Sequence, residues 1–522
     1  MGSSGGLQLL LLAGGAVAVS ALARRHNWPA PLLLVAAGLV VSPLVPEVPL
    51  DPDLVLYVFL PPLLYSAALD SSYLRLRDVR RPVALLSVGL VLFTAAVAGL
   101  LVHLLLPGLP LALAFALGAI IAPPDAVAAV AVGRRLGLPR RTLTILIGES
   151  LFNDATALTL YRVAIGAATG GAISLWAGLG EFLLAALGGV AVGLALARAC
   201  AWVLERLRDS LVETTVMLLI PFGAYLAAES VHASGVIAVV IVGLYLGHRM
   251  HLRGFGTRLV AGAVWRVVVF FLEAVVFALI GLQLVPVIEG ITGYRPWEVA
   301  LYAVAVLAAV IAARFGWIFA LAPLIRAARR THVPQAVVLG WAGMRGVVSL
   351  AAAFAIPESV PARDRALLLF LTFTTVIGTL LIQGTTFPAL IRKLHVSSEK
   401  ERYDDLLAEA AAQQAALEAG LAELDRLVAE LGDEPDEIQK QVIDQLREKS
   451  WRRSLTAWER LGGGTGPGGS ETPSTLYRRL RREMLKAERQ VFVRLRDERR
   501  LDDEVLRQVM TQLDFEEAML DR

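Results

Sequence analysis

Thirteen apolar segments follow one another over the first 395 residues of this 522-residue chain, and they constrain its fold more than any other feature. An α-helix needs about 20 apolar residues to cross the ~30 Å hydrocarbon core of a bilayer. Charged residues make up only 18% of the chain, against about 25% in soluble domains, which argues against a water-soluble protein. The pattern predicts an all-α polytopic membrane protein with spans at about 5–23, 28–45, 53–69, 82–106, 110–132, 141–164, 176–204, 211–229, 234–248, 265–288, 296–325, 334–356 and 365–391.

Arginine residues are distributed unequally between alternate connections of these spans. Nineteen lie in one set of connections, and three, Arg295, Arg363 and Arg365, lie in the other. Since basic residues collect on the cytoplasmic side, we expect a protein of the cell (plasma or inner) membrane with its N-terminus outside and its C-terminal tail in the cytoplasm. The first span has no basic leading region, so we expect a retained span rather than a signal peptide.

The composition changes after the last span. Residues 1–395 carry a net charge of +10 and residues 396–522 a net charge of −7. We therefore predict a transmembrane domain over 1–395 and a cytoplasmic, helical, regulatory tail over 396–522. Apolar residues recur with heptad spacing from Tyr403 to Leu431, which fits either a bundle within one subunit or a coiled-coil contact in a dimer.

The rest of the tail has three further segments. A second helix is expected over about 436–460, a flexible linker over about 462–473 and a basic stretch over 477–500. Acidic segments flank the basic stretch, so we expect it to contact membrane lipids with anionic headgroups, or the tail's own acidic helices, and not nucleic acid.

Ionisable side chains inside the predicted spans are candidates for function, because a charge at membrane depth is energetically costly. Seven lie away from the span ends: Asp125, Glu149, Asp154, Arg162, Glu273, Arg314 and Arg345. Their neighbours in the sequence indicate which of them belong to a common site.

The fifth and twelfth spans contain residues that interrupt a helix. Pro123 and Pro124 remove two backbone donors directly before Asp125, and glycines are concentrated over 340–346, around Arg345. Broken spans are tolerated where protein or a water-filled cavity satisfies the freed backbone groups. If the two breaks cross, Asp125 supplies the negative charge that helix N-termini favour and Arg345 the positive charge that C-termini favour, so both have mainly structural roles beside the site.

The sixth span contains Gly-Glu-Ser-Leu-Phe-Asn-Asp at residues 148–154. Residues four apart share a helix face, so Ser150 is expected beside Asp154 and Asn153 beside Glu149, each pair facing a different neighbour. Hard cations such as Na⁺ prefer oxygen ligands of the kind that Asp154 and Ser150 offer. We expect a functional role for Asp154 and a structural role for Glu149.

A buried Glu149 requires a counter-charge. Two arginines of other spans are available: Arg314 in the eleventh and Arg345 in the twelfth. The residues alone leave this choice open.

Other chemistry-bearing residues argue against an enzyme. The single cysteine, Cys200, excludes an intramolecular disulfide and a cysteine-based metal site. No Gly-x-Ser-x-Gly or His-Glu-x-x-His motif occurs, and no histidine lies near Asp154 in the sequence. We expect no enzymatic activity and no cofactor, any bound Na⁺ or other monovalent cation being transported.

Four stretches are informative as a set: Phe-Leu-Pro-Pro-Leu-Leu-Tyr at 59–65, Pro-Pro-Asp-Ala-Val-Ala at 123–128, the motif at 148–154, and Gly-Met-Arg-Gly-Val-Val-Ser at 343–349. In this order and spacing they resemble the monovalent cation:proton antiporter family that contains the bacterial NhaP-like proteins and the animal sodium/proton exchangers. The resemblance covers roughly residues 5–395, which makes this region an antiporter domain.

The resemblance implies an inverted-repeat fold in which the unwound fifth and twelfth spans cross, and a homodimer in which a mobile core domain moves past a dimerisation domain. It implies that Asp154 binds cation and proton in turn and that Ser150 is a co-ligand. Asn153 fills the place of an aspartate in electrogenic relatives. Glu149 resembles the glutamate that pairs with an arginine of the eleventh span, here Arg314.

Arg345 matches the family's arginine at the crossing, but two other positions depart from the family pattern. The familiar Thr-Asp-Pro is replaced by Pro-Asp-Ala at 124–126, so a threonine ligand is missing, and backbone carbonyls such as that of Pro124 remain beside Asp125. The glutamate that many prokaryotic relatives carry after the Pro-Pro of the third span is Ser66 here, with Asp70 four residues on. Ser66 is therefore the candidate for a third-span contribution.

One carboxylate cannot hold a proton and a cation tightly at once, so competition at Asp154 would couple their movements. Exchange of one H⁺ for one M⁺ moves no net charge, and we expect electroneutral Na⁺/H⁺ antiport, with K⁺ or Li⁺ as alternative cations. A cation channel or a non-transporting membrane sensor on the same fold is the alternative. A channel would pass current without proton coupling, and a sensor would signal through the tail, which has no signalling motif that we recognise.

Overall fold

The computed structural model describes residues 3–26, 28–44, 55–168, 175–326, 333–357, 359–396, 399–430, 436–461, 470–498 and 500–520. The chain divides into two compact units, Met1–Ser397 and Ser398–Arg522. The predicted linker at about 462–473 falls largely outside the described residues.

Helices of the first unit coincide with all thirteen predicted spans, which confirms the all-α fold, and they are numbered here by span. They are α1 (Ser3–His26), α2 (Ala30–Val41), α3 (Val55–Leu69), α4 (Arg80–Leu105), α5a (Leu111–Ile121), α5b (Val127–Arg135), α6 (Arg140–Ala168), α7 (Leu175–Leu204), α8 (Ser210–Glu229), α9 (Gly235–His248), α10 (Phe255–Glu289), α11 (Pro296–Arg326), α12a (Val333–Trp341), α12b (Val347–Phe354) and α13 (Ala362–Lys393).

Six helices in the described ranges are long and apolar enough to cross a bilayer by themselves: α4, α7, α8, α10, α11 and α13. Four further apolar helices, α2, α3, α5a and α9, are shorter. The first unit is therefore a multi-pass membrane domain.

Helix packing divides this unit into two groups. In the first, α2 packs on α10 and α9 packs on α3, α7 and α8. In the second, α4 packs on α5a and α11, α5a on α6, and α13 on α11 and α12b. We call these the scaffold group (α1–α3 and α7–α10) and the crossing group (α4–α6 and α11–α13).

Glycine permits the closest approach within the scaffold group. A Cβ at Gly281 of α10 would collide with the carbonyl oxygen of Val35 on α2, and a Cβ at Gly38 of α2 would collide with the backbone of α10. The two helices therefore touch through their backbones, which fixes the spacing between them.

The two broken helices of the crossing group meet at their breaks. The chain leaves helical geometry between α5a and α5b and again between α12a and α12b. The Asp125 N–H donates a hydrogen bond to the Met344 carbonyl at 2.7 Å, which joins the two breaks. The predicted crossing is confirmed.

Some local features differ from the expected spans. α10 begins at Phe255 rather than near residue 265 and runs for 35 residues. Three helices contain wide π-turns: Val55–Phe59 in α3, Leu85–Leu90 in α4 and Leu380–Gly384 in α13. The apolar pattern gives no signal for either feature, because hydropathy measures where a span lies and not how its turns are wound.

The second unit contains α14 (Glu399–Glu430), α15 (Glu437–Leu461), α16 (Pro473–Asp497) and α17 (Asp503–Leu520). α14 and α15 form an antiparallel hairpin, in which Arg447 binds Asp425 at 2.8 Å and the Ser454 hydroxyl bonds to the Gln414 amide oxygen at 3.2 Å. Ala410 of the heptad pattern is buried. The heptad seam thus packs within the chain at Ala410 and Gln414, as the first alternative predicts, while Tyr403 and Leu407 are exposed and the dimer contact stays a prediction.

α16 and α17 form a second hairpin. Leu485 of α16 and Leu513 and Leu520 of α17 make a small buried apolar cluster. The Arg481 guanidinium bridges the two helices through Glu516, with an Nε–Oε1 distance of 2.6 Å.

Candidate functional site

Asp125 lies where two half-helices begin. Its Oδ1 accepts a hydrogen bond from the Val127 N–H at 2.9 Å, at the first residue of α5b. Gly346 precedes α12b, and a Cβ there would overlap the Asp125 carboxylate, so only glycine allows this approach. A carboxylate at these N-termini is stabilised by their unpaired N–H groups and by the helix dipoles.

Arg345 lies where the other two half-helices end. Its Nε donates a hydrogen bond to the Ile121 carbonyl at 2.9 Å, at the last residue of α5a, and its Nη1 donates to the Gly343 carbonyl beyond α12a. The side chain is buried, and Thr379 of α13 accepts a hydrogen bond from its backbone N–H at 3.0 Å. Positive charge here complements the free carbonyls of helix C-termini.

Three residues of α6 face the break in α5. The Asn153 Nδ2 donates a hydrogen bond to the Pro124 carbonyl at 2.6 Å, and the Ser150 hydroxyl accepts one from the Ala126 N–H at 3.4 Å. Asp154 follows on the same side, with 8% of the residue exposed. Within the described ranges, no ion pair or hydrogen bond engages its carboxylate, and the charge that acts on it is that of Asp125.

Glu149 points to a different part of the molecule and is fully paired. Arg314 binds it bidentately, with Nη1–Oε1 and Nη2–Oε2 distances of 2.5 and 2.9 Å, and each residue is 1% exposed. The Arg314 Nε also donates to the Leu339 carbonyl of α12a at 3.0 Å. This ion pair fixes α6 to α11 and α12a and leaves Glu149 no free oxygen for a cation.

The expectation that Asn153 accompanies Glu149 is wrong. Asn153 bonds to Pro124 at the α5 break, whereas Glu149 bonds to Arg314. Asn153 lies about 40° from Glu149 and about 100° from Asp154 around a helix of 3.6 residues per turn, so its amide can reach either neighbour. The amide bonds to the Pro124 carbonyl oxygen, 2.6 Å away, and not to Glu149.

Ser66 lies on α3, in the scaffold group, and is partly exposed. Its backbone carbonyl accepts a hydrogen bond from the Asp70 N–H at 3.1 Å, at the end of the helix. In the part of the chain that the structure describes, no hydrogen bond joins the Ser66 side chain to α6. The contribution of Ser66 to the site therefore stays a prediction.

Sequence reasoning missed two contacts. Thr379 was not among the candidates, because a threonine inside an apolar span gives no local signal. Arg162 was a candidate without a partner. Its Nη2 donates to both carboxylate oxygens of Glu229 on α8, at 3.1 and 3.0 Å, which links the crossing group to the scaffold group. The Glu229 Oε1 also accepts a hydrogen bond from the Gly235 N–H at the start of α9.

The geometry has one chemical consequence. Asp154, Ser150 and the Pro124 carbonyl at the α5 break place oxygen atoms on one side of α6. The charge of Asp125 acts on the Asp154 carboxylate, which has no basic partner among the described residues. Neighbouring carboxylates favour either a bound cation or a shared proton. No group of three His, Cys, Asp or Glu side chains suited to a resident metal occurs among the described residues.

Comparison with known proteins agrees with this geometry. The family described as "Sodium/hydrogen exchanger, transmembrane" matches residues 10–393. The uncharacterized Na(+)/H(+) exchanger Rv2287 of Mycobacterium tuberculosis is 33% identical over 98% of this chain and 95% of its own. The sodium, potassium, lithium and rubidium/H(+) antiporter of Bacillus pumilus is 31% identical over 70% of this chain and 58% of its own.

The fold has a solved counterpart. The sodium proton antiporter MjNhaP1 from Methanocaldococcus jannaschii, at pH 8, superposes with a TM-score of 0.60 and 20% identity. The match covers 74% of this chain and 97% of that chain.

Proposed function

The chain belongs to the sodium/hydrogen exchanger family, and on that premise we propose that it exchanges Na⁺ or another monovalent cation for H⁺ across a cell membrane. The cation range stays open to K⁺ and Li⁺, since the Bacillus pumilus relative is named for sodium, potassium, lithium and rubidium. The observation that carries the proposal is Asp154, a carboxylate inside a membrane domain with no basic partner among the described residues.

Asp154 is the proposed site of both cation and proton. Ser150 lies one turn before it on the same helix and supplies a hydroxyl ligand, and the Pro124 carbonyl lies at the edge of the same site. Asn153 holds that carbonyl in place, and Asp125 contributes negative charge while it is fixed to the helix N-termini. Cation and proton then compete for one carboxylate, which makes their movements obligatorily linked.

The proposed stoichiometry is one H⁺ for one M⁺. Asp125 is held at the helix N-termini, and Asp154 is the proposed titrating group, so one charge leaves as one enters. The exchange is therefore electroneutral, and the membrane potential does not drive the net cycle.

Movement of the crossing group past the scaffold group would expose the site to each side in turn. The support is the separation of packing into two groups and the position of Asp154 in one of them. We further propose the orientation with the N-terminus outside and the tail in the cytoplasm, and a homodimer formed by the scaffold groups. The tail is proposed to regulate exchange, so its removal should shift the dependence of activity on pH.

Exchange in proteoliposomes tests the function. An imposed Na⁺ gradient should drive H⁺ movement, measured with an enclosed pH dye, and an imposed membrane potential should not change the final pH difference. Asp154→Asn keeps the size of the side chain and removes its charge, so exchange should fall to that of protein-free liposomes. Asp70→Asn is the matched control, since Asp70 is exposed at the end of α3 and should retain wild-type exchange.

Two results would overturn the proposal. If Asp154→Asn exchanged at the wild-type rate, Asp154 would not be the site of cation and proton binding. Cation current without H⁺ movement in the wild type would replace the exchanger by a channel.

A further inference from the structure

A small cavity, with room for about one water molecule, lies between α5a, α6 and α12b. Its wall is formed by small and aliphatic residues with two hydroxyl groups among them: Ala119, Ile120, Pro123, Ala157, Leu158, Tyr161, Val348, Ser349 and Ala352.

The cavity continues from the proposed cation site along one face of α6. Ala157, Leu158 and Tyr161 follow Asp154 by three, four and seven residues, which places them on its side of the helix. Ser349 lies in the first turn of α12b, whose N-terminus meets Asp125. The cavity therefore lies between Asp154 and the end of α6 at Ala168, which faces outward in the proposed orientation.

Two hydroxyl groups in this wall have no protein partner among the described residues: Tyr161 Oη and Ser349 Oγ. The residues are 7% and 2% exposed. Buried polar groups in proteins are nearly always hydrogen-bonded, to protein or to ordered solvent. The rest of the wall is aliphatic, so a polar occupant of the cavity must satisfy these hydroxyls.

We propose that Tyr161 and Ser349 form a transit site for a monovalent cation on the outer route to Asp154. Hydroxyl oxygens are suitable ligands for a hard cation, and with room for about one water molecule the cavity would take the ion largely dehydrated. The Asp154 and Asp125 carboxylates do not line the cavity, but they follow closely on its wall, one turn before Leu158 and two residues after Pro123, and they favour a cation over an anion. The inference rests on the proposed function and adds a second, weaker site with access from one side.

Kinetics measured from each side of the membrane test the role of the hydroxyls. Tyr161→Phe and Ser349→Ala, singly and together, should raise the apparent KM for external cation about two- to tenfold, the usual effect of one lost hydrogen-bonding group. The apparent KM for internal cation should not change. Equal changes on both sides, or none on the outer side, would overturn the proposal.

Matched controls separate this effect from a general loss of buried hydroxyls. Tyr65 on α3 and Ser20 on α1 are also buried with hydroxyls unpartnered in the described ranges, and neither lines the cavity. Tyr65→Phe and Ser20→Ala should leave both apparent KM values at wild type. If they reproduce the outer-side effect, the cavity does not cause it.

Access to the cavity can be measured without any transport. Cys200 is the only cysteine, so Cys200→Ser gives a background in which Ala352→Cys places one thiol in the cavity wall. External Ag⁺, a monovalent cation, should block this thiol against later maleimide labelling in detergent, and saturating Na⁺ should slow the block. Ag⁺ acting equally well from inside, or with no protection by Na⁺, would contradict the transit site.

The two failures are distinguishable. Absence of exchange in the wild type would refute the proposed function, while the thiol experiment would still report whether a cation enters the cavity from outside. Normal exchange with an inaccessible or unprotected thiol would refute the transit site alone.

Discussion

The two faces of α6 hold carboxylates that differ in surroundings much more than in burial. Glu149 and Asp154 are five residues apart and 1% and 8% exposed. Arg314 binds Glu149 bidentately, whereas no ion pair or hydrogen bond among the described residues engages the Asp154 carboxylate. A carboxylate whose oxygens are filled by a guanidinium has a structural role. Burial alone therefore does not identify the carboxylate that binds a cation. The presence or absence of a basic partner distinguishes the two.

The largest expected effect lies on the Glu149 face. Glu149→Gln leaves the buried Arg314 guanidinium without its counter-charge, which should reduce the free energy of unfolding by about 3–5 kcal/mol. Thermal unfolding in detergent measures this loss. Asp154→Asn, the same chemical change on the other face, should alter stability little because no counter-ion is left behind.

A double variant tests the cause of that loss. Glu149→Gln combined with Arg314→Gln removes both charges and should recover part of the stability. Equal melting of Glu149→Gln and wild type would show that the ion pair does not hold α6 in place.

A smaller effect is expected on the Asp154 face. Asn153→Ala removes the hydrogen bond to the Pro124 carbonyl, and a buried acceptor without its donor should cost about 1–3 kcal/mol. The apparent KM for cation should rise as well, because the α5 break loses a support. Thr159→Ala is the control on the same helix, since the Thr159 hydroxyl bonds only to its own helix at Ala155. An Asn153→Ala protein with unchanged stability would show that the contact does not fix the break.

The smallest effect concerns an exposed ion pair in the second unit. Arg481 hydrogen-bonds to Glu516 and lowers the pKa of that carboxyl below its ordinary value. The pair therefore stabilises the α16–α17 hairpin above the pKa of an unfolded glutamate, about 4.3. That stability is lost as the pH falls through the lower folded pKa.

Glu516→Gln should thus weaken the hairpin at pH 7 and have no effect in strong acid. The expected loss is under about 1 kcal/mol, because the pair is solvent-screened. Amide hydrogen exchange of α16 and α17 in the full chain measures it. Glu504→Gln, on α17 with no ion pair among the described residues, is the control. An undiminished difference below pH 3 would contradict the ionic cause.

Local sequence patterns were enough to predict the spans and the two breaks. Hydropathy over about 20 residues reports membrane burial directly, and Pro123 and Pro124 cannot donate backbone hydrogen bonds, which favours an interruption there. The choice of Arg314 over Arg345 as the partner of Glu149 was open from the residues and came only from the resemblance.

Contacts across the breaks could not be predicted in this way. Asp125 meets Met344, and Arg345 meets Ile121, over separations of more than two hundred residues that depend on how α5, α12 and α13 pack. Asn153 was assigned to the wrong neighbour for a related reason. Helical periodicity gives the direction of a side chain but not what stands beside it.

Balanced charge at the crossing has a consequence for leakage. Asp125 with Arg345, and Glu149 with Arg314, sum to zero, so in the proposed cycle the uncompensated charge at the crossing is that of Asp154 and its cargo. With H⁺ or M⁺ bound, Asp154 is neutral. Without cargo, it would cross the hydrocarbon as a bare anion, which costs its desolvation and up to ~2.3 kcal/mol per 100 mV of membrane potential. Movement of the helices with an empty Asp154 is thereby suppressed, and a fixed ratio of H⁺ to cation requires no additional gating element.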